Sequence, residues 1–90
     1  MKFEAACKKA MRYFEKEYGD TGLISIMDLG DKWLFDGANE DSSVVYGKQC
    51  ITIDKDTGER EIFYLPNDKN FELLENAEKM IIPENYRLTI

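Results

Sequence analysis

The residues with the clearest capacity for chemistry are the carboxylates of Asp54–Gly58, whose spacing is similar to the start of a calcium-binding loop. In such a loop glycine occupies the sixth place and a bidentate glutamate the twelfth, whereas this chain has Glu59 and Leu65 there. The segment has instead the composition of a hairpin turn, with Gly58 supplying a positive φ. We therefore expect no metal site, and we expect the turn aspartates to be solvated, with ordinary pKa values unsuited to acid–base catalysis.

Other nucleophiles and ligands are few, because the chain has two cysteines and no histidine. Histidine is the usual general base and the commonest metal ligand, so neither Cys7 nor Cys50 has one to activate it. The chain also lacks a glycine-rich phosphate loop and a nucleophile elbow. We expect no catalytic residue, no metal and no cofactor, and we expect both cysteines to be reduced thiols.

The beginning of the chain carries charges over Met1–Glu4 and lacks the apolar run of a secretory signal. No stretch of the sequence is long and apolar enough to span a bilayer. Together with two widely spaced cysteines, these features predict a cytoplasmic protein with no membrane partner.

Charge is distributed unevenly along the 90 residues, whose net charge is −6. Residues 1–14 carry four basic residues against one acidic, residues 15–47 two against eight, and residues 48–90 six against nine. The overall acidity disfavours nucleic acids and anionic membranes, which would repel the chain. The central acidity is either a solubilising surface or a face that steers a basic protein partner. On the second interpretation, the predicted partner-binding residues are Asp28, Asp31, Trp33, Asp36, Glu40, Asp41 and Tyr46.

A helix over residues 2–18 is the first element that must position these side chains. Its apolar residues recur at steps of three and four, which predicts one buried stripe, and Gly19 is suited to a left-handed cap at its end. The stripe comprises Phe3, Ala6, Cys7, Ala10, Met11, Phe14 and Tyr18.

Strands are predicted for the middle of the chain, where runs of apolar and β-branched residues alternate with turn residues. Gly30 begins a tight turn between the first two strands, and a polar loop over 37–43 precedes the third. Gly47 indicates a bulge in the third strand, and Pro66 ends the fourth. The four predicted strands cover residues 23–29, 32–36, 44–53 and 60–65.

A second helix is predicted after the polar segment 67–70, and it ends before Pro83. Residues 84–90 form either a tail or, over 86–90, a last short strand. This order predicts an α+β fold, with the N-terminal helix and a second, C-terminal helix packed on a four-stranded antiparallel meander sheet. No repeat or linker divides the chain, so 1–90 is predicted to be a single domain. The buried side of the second helix is expected to comprise Phe71, Leu74, Ala77 and Met80.

Trp33, the only tryptophan, is either an anchor of the core or a partly exposed interface residue. By strand alternation it shares one face with Phe35, while Leu34 points to the other face.

The sequence resembles the YrhB-type immunity proteins, the immunity protein 35 family of bacterial polymorphic-toxin systems. The resemblance is carried by Trp33-Leu34-Phe35 on the second strand and by Ile53–Glu59 at the later hairpin, and it covers roughly residues 3–80. It also takes in two helical segments, with Ala6, Ala10 and Tyr13 in the first and Phe71, Leu73 and Leu74 in the second. The resemblance implies a small α+β domain in which Trp33 corresponds to the family's characteristic tryptophan.

The function implied by the resemblance is that of a cytoplasmic antitoxin, which binds a cognate toxin domain and neutralises it by occlusion. An acidic chain without catalytic residues suits a basic toxin such as a nuclease. The alternative is a small chaperone-like or housekeeping protein-binding module without a dedicated toxin. In either case an exposed edge strand would allow a homo-oligomer.

Overall fold

The computed structural model describes residues 1–39, 49–64 and 68–88. Two helices and five strands follow one another along these ranges. They are α1 (Phe3–Tyr18), β1 (Gly22–Asp28), β2 (Lys32–Ala38), β3 (Ile51–Asp54), β4 (Arg60–Ile62), α2 (Asp68–Glu75) and β5 (Glu78–Lys79). The strands form one antiparallel sheet in the order β4-β3-β2-β1-β5, so the predicted α+β class and the meander of the first four strands are confirmed.

The core lies between α1 and one face of the sheet. The predicted stripe of α1 contributes Ala6, Cys7, Ala10 and Phe14, all fully buried. The helix ends where it was expected to end, because Gly19 adopts a φ of 68° and its N–H bonds to the carbonyl of Glu15. The sheet residues of the core are Leu23, Ile26, Trp33, Phe35, Ile51 and Ile53.

Trp33 belongs to this core and is only 7% exposed, which favours the anchor among the two interpretations of this residue. Its ring meets that of Phe3 from α1 edge-on, with the ring centroids 5.4 Å apart. Phe35 is in the same cluster and Leu34, although buried, is not. The predicted alternation along β2 is therefore confirmed.

The second helix is shorter and less buried than predicted. It ends at Glu75 instead of continuing through Met80, and Glu78–Lys79 pair with β1 as a fifth strand. The N–H of Met80 then donates to the carbonyl of Ile26 at 2.9 Å. Pairing with β1 satisfies backbone groups that a sheet edge leaves open, and this outweighs the helical spacing of the apolar residues.

No described side chain of α2 is buried, and Phe71 is 48% exposed. The prediction that Phe71 lies on a buried side is therefore wrong. The core cluster contains no residue of α2 either, so this helix lies outside the layer that α1 forms with the sheet.

Part of the predicted strand content lies outside the described residues, including the bulge at Gly47 and the strand end at Pro66. The end of the chain pairs with β1 in parallel through one bridge between Leu23 and Arg87. Leu23 donates to the carbonyl of Tyr86 at 2.7 Å and accepts from the N–H of Leu88 at 3.1 Å. Of the two predictions for residues 84–90, the structure is thus closer to the short strand.

Candidate partner-binding surface

The two hairpin turns of the meander lie side by side at one end of the sheet. Lys32, at the start of β2, is paired with Asp54, at the end of β3. The N–H of Lys55 donates across the gap to the carbonyl of Asp31 at 3.0 Å. We refer to this region, residues 28–32 and 54–59, as the two-turn end.

Lys55 connects the two turns through its side chain as well. Its Nζ lies 2.8 and 2.9 Å from the two carboxylate oxygens of Asp28, and 5.4 Å from the centre of the Trp33 ring. The Asp28 carboxylate also accepts the N–H of Gly30 at 2.8 Å. These hydrogen bonds, from Lys55 first and then from Gly30, hold the pKa of Asp28 below its ordinary value.

The second turn is organised by its own aspartate. Oδ1 of Asp54 accepts the N–H groups of Asp56 at 2.8 Å and Thr57 at 2.9 Å. The bond from Thr57, followed by that from Asp56, lowers the pKa of Asp54, so the expectation of an ordinary pKa is wrong for this residue. Asp54 itself is half-buried at the end of β3, where the hairpin turn begins.

The second turn contacts the beginning of the chain and the first half of α1. Lys9 Nζ donates to the carbonyl of Gly58. Gly58 has a φ of 73°, as predicted, and a Cβ at this position would lie 2.8 Å from Cε of Met1. Glycine is therefore favoured by the left-handed backbone, whereas the flexible end of the Met1 side chain can move away from a Cβ.

Three of the predicted partner-binding residues lie at the two-turn end or directly beside it, but in different roles. Asp31 is exposed, whereas Trp33 is buried and Asp28 is paired with Lys55. Asp36 is half-buried further along β2, opposite Ser25 and on the other face from Trp33. Glu40, Asp41 and Tyr46 lie outside the described residues.

Two exposed carboxylates that sequence reasoning missed, Asp56 and Glu59, join Asp31 at the two-turn end. The predicted topology already implied that these residues are neighbours, because the first and third turns of a meander lie at the same end of the sheet. None of these three carboxylates forms an ion pair within the part of the chain that the structure describes.

Comparisons with protein-family models, with curated proteins and with solved structures found no match to this chain. The case for a function therefore depends on the geometry of the two-turn end and on the sequence.

Two further features concern the described ranges, metal-ligating clusters and membrane-spanning helices. No group of three or more histidine, cysteine, aspartate or glutamate side chains there is arranged to hold a metal ion. No helix there has the length and apolar character needed to cross a membrane.

Neither cysteine is in a disulfide. Burial, followed by the nearby charge of Glu4, raises the pKa of Cys7 to about 11, so this thiol is protonated at neutral pH.

Proposed function

We propose that this protein is an immunity protein, which binds a basic bacterial toxin domain, such as a nuclease, and neutralises it by occlusion. The observation that carries the proposal is the placement of Asp31, Asp56 and Glu59 as exposed carboxylates on two turns that are bonded to each other. The two sequence segments that resemble the YrhB-type family also pack together at this end of the molecule. Trp33 lies beneath Lys55, and Lys55 is part of the Ile53–Glu59 hairpin.

Preorganisation supports a binding role for this end. The ion pair between Asp28 and Lys55, and the turn bonds accepted by Asp54, hold the backbone that carries the exposed carboxylates. A surface that is already ordered loses less conformational entropy when it binds. Asp28 and Trp33 therefore support the surface in this proposal, and Asp31, Asp56 and Glu59 make the contact.

Electrostatics supports a basic partner. A cluster of exposed carboxylates attracts a basic protein over distances comparable to the Debye length and so raises the rate of encounter. Blocking a toxin in this way requires no chemistry from the immunity protein, because occlusion depends on affinity and shape alone.

The test compares two triple charge reversals in the full chain. D31K/D56K/E59K alters the two-turn end, and E15K/E17K/E84K makes the same change in net charge at exposed positions near the C-terminal end of α1 and after β5. The ligand is the C-terminal domain of the toxin encoded by the neighbouring gene, and the measurements are association rate against salt and rescue of cells that express this domain. We expect the first variant to associate roughly tenfold more slowly at low salt and to lose rescue, with less than about a twofold change in the control.

Two results would contradict the proposal in different ways. Equal association by wild type and both variants would show that the two-turn end is not the contact surface. Failure of the wild-type chain to bind the toxin domain or to rescue cells would exclude the immunity function itself.

A further inference from the structure

A groove between α1 and β4 carries charge opposite to that of the molecule. It has a volume of about 430 Å³, and most of its wall consists of Lys8, Lys9, Arg12, Lys16, Arg60 and Tyr13. All five cationic side chains are exposed, and none of the described residues that line the groove is a carboxylate. In a chain with a net charge of −6, this is a local concentration of positive charge.

The cations of the groove are held in place by both of its walls. The guanidinium carbon of Arg60 lies 4.5 Å from the centre of the Tyr13 ring, which fixes a charge from the sheet against the helix. Lys9 is anchored to the carbonyl of Gly58. The other three cations project from successive turns of α1 at positions 8, 12 and 16, a spacing that places them in one row.

The sheet side of the groove is an edge strand. Among the described residues β4 pairs with β3 only. The carbonyl of Glu59 accepts from the N–H of Asp54 in β3, and the N–H of Phe63 donates to the carbonyl of Cys50, just before β3. Because these groups alternate along a strand, the N–H and C=O groups of Arg60 and Ile62 point away from β3, toward the open edge.

The length of edge that can pair is limited at its far end. The carbonyl of Tyr64, the next group on the outward side, accepts a 2.7 Å bond from the side chain of Asn70. An incoming strand therefore finds outward-pointing backbone at Arg60–Ile62. On the face of the sheet that carries α1, the incoming strand would lie beside the Arg60 side chain and next to the row of cations on α1.

We propose that this groove binds an extended acidic peptide segment of a partner protein, by addition of a strand to β4. The segment pairs with Arg60–Ile62, and every second side chain points toward α1. The recognised pattern is consequently a carboxylate at alternate positions, matched to Arg60 and to the row formed by Lys8, Arg12 and Lys16. The inference does not depend on the proposed function, because it concerns a different surface of opposite charge.

Two other occupants fit the observations less well. Outside the five groove cations the chain has seven basic residues against eighteen acidic ones, so a nucleic acid longer than the groove would be repelled by its surroundings. A second copy joined through β4 would bring two sets of these cations together, which like-charge repulsion opposes.

The experiment uses the full chain and a peptide of about ten residues in which glutamate alternates with threonine. Backbone amide NMR shifts locate the peptide, and a titration at two salt concentrations gives its affinity. We expect shift changes at Arg60–Ile62 and along the outer side of α1, and weaker binding at high salt.

Matched controls distinguish strand addition to β4 from nonspecific electrostatic attraction of the peptide. The variant K8E/R12E/K16E should weaken binding at least roughly tenfold, whereas K69E/K79E/R87E, with the same charge change at exposed positions elsewhere, should leave it within about twofold. A peptide of equal charge with N-methylated backbone amides at alternate positions should lose the shift changes at β4, since it cannot pair with the strand.

Four results would overturn the inference. They are the absence of shift changes in the groove, equal weakening by both variants, equal binding of the N-methylated peptide, and tighter groove-dependent binding of a single-stranded oligonucleotide. Self-association that is abolished by K8E/R12E/K16E would instead assign the groove to a second copy. Each of these outcomes leaves the toxin-binding test on the two-turn end unaffected.

Discussion

At the scale of single residues, Lys55 is the most connected side chain of the two-turn end. Its backbone N–H holds the first turn at Asp31, and its ammonium group lies between the Asp28 carboxylate and the Trp33 ring. The side chains of Lys55 and Asp28 are each 28% exposed, so water still screens the pair. The importance of the ion pair therefore lies more in the position of the turns than in the total stability.

Replacing Asp28 with asparagine should lower the free energy of unfolding at pH 7 by about 0.5–1 kcal/mol, because the ion pair with Lys55 is lost. The pKa of Asp28 is lowered in the folded state, so its contribution exists above the ordinary aspartate pKa. That contribution is lost as the pH falls through the lowered folded pKa. Urea unfolding of wild type and D28N at pH 7 and at low pH should thus show a difference that closes in acid.

The matched control is D31N, which removes an exposed carboxylate of the same turn. We expect D31N to stay within about 0.5 kcal/mol of wild type. An equal effect of the two substitutions, or a D28N effect that does not depend on pH, would contradict the role assigned to the pair.

At the scale of elements, the two helices differ in what they contribute to the fold. Phe14 of α1 is fully buried in the core, whereas Phe71 of α2 is nearly half exposed and outside it. Both are phenylalanines on amphipathic helices, so their spacing alone predicts similar burial. The difference arises because α1 packs across the central strands, while β5 occupies the sequence that would have extended α2.

Replacing each of these phenylalanines with alanine should show how much each helix contributes to stability. We expect F14A to lower the free energy of unfolding by about 3–5 kcal/mol, and F71A to lower it by less than about 1 kcal/mol. Chemical denaturation followed by far-UV circular dichroism measures both. A large loss in F71A would show that α2 is part of the cooperative core.

The same elements show what was predictable from sequence. α1 and the β1–β2 hairpin were predicted within a few residues, since their signals are local: an apolar stripe, a cap at Gly19 and a turn at Gly30. β5 was missed because two charged residues, Glu78 and Lys79, carry no strand pattern of their own. Their conformation is set by the edge of β1, about fifty residues earlier in the chain.

The candidate site was predictable to a similar degree. The acidic composition of the first hairpin pointed to Asp31, whose side chain is exposed. It also pointed to Asp28, but the carboxylate of Asp28 is paired with Lys55. The sequence shows that Asp28 is charged and does not show that it has a partner. The second turn adds Asp56 and Glu59 to the site because the strand order places it beside the first turn, and local sequence patterns do not encode strand order.

At the scale of the whole molecule, the sheet is completed by the far end of the described chain. Residues 86–88 return to Leu23 at the start of β1, beside the stretch that β5 covers. The two backbones come very close there, since a Cβ on Gly22 would lie 2.4 Å from the Cα of Leu88. The β1 side of the sheet is thereby paired, whereas on the other side β4 pairs with β3 alone among the described residues.

Substituting Gly22 with alanine should therefore lower the free energy of unfolding by about 1–3 kcal/mol, because the methyl group displaces the backbone of Leu88. Without that contact, replacing a strand glycine with alanine would be expected to stabilise the chain. Hydrogen exchange at the Leu23 amide, which bonds to Tyr86, should accelerate in G22A. The exposed neighbour variant T21A is the control, and a neutral or stabilised G22A would exclude this close approach.

The position of Trp33 makes the intrinsic fluorescence of the protein a probe of one end of the molecule. As the only tryptophan, it accounts for all indole emission of the chain, and it lies beneath Lys55 at the two-turn end. Tyr13, which lines the basic groove, is one of five tyrosines, so tyrosine emission is not specific to that groove. Fluorescence excited in the tryptophan band therefore responds to events at one end of the molecule, so occupancy of the acidic turns can be followed in an unlabelled protein.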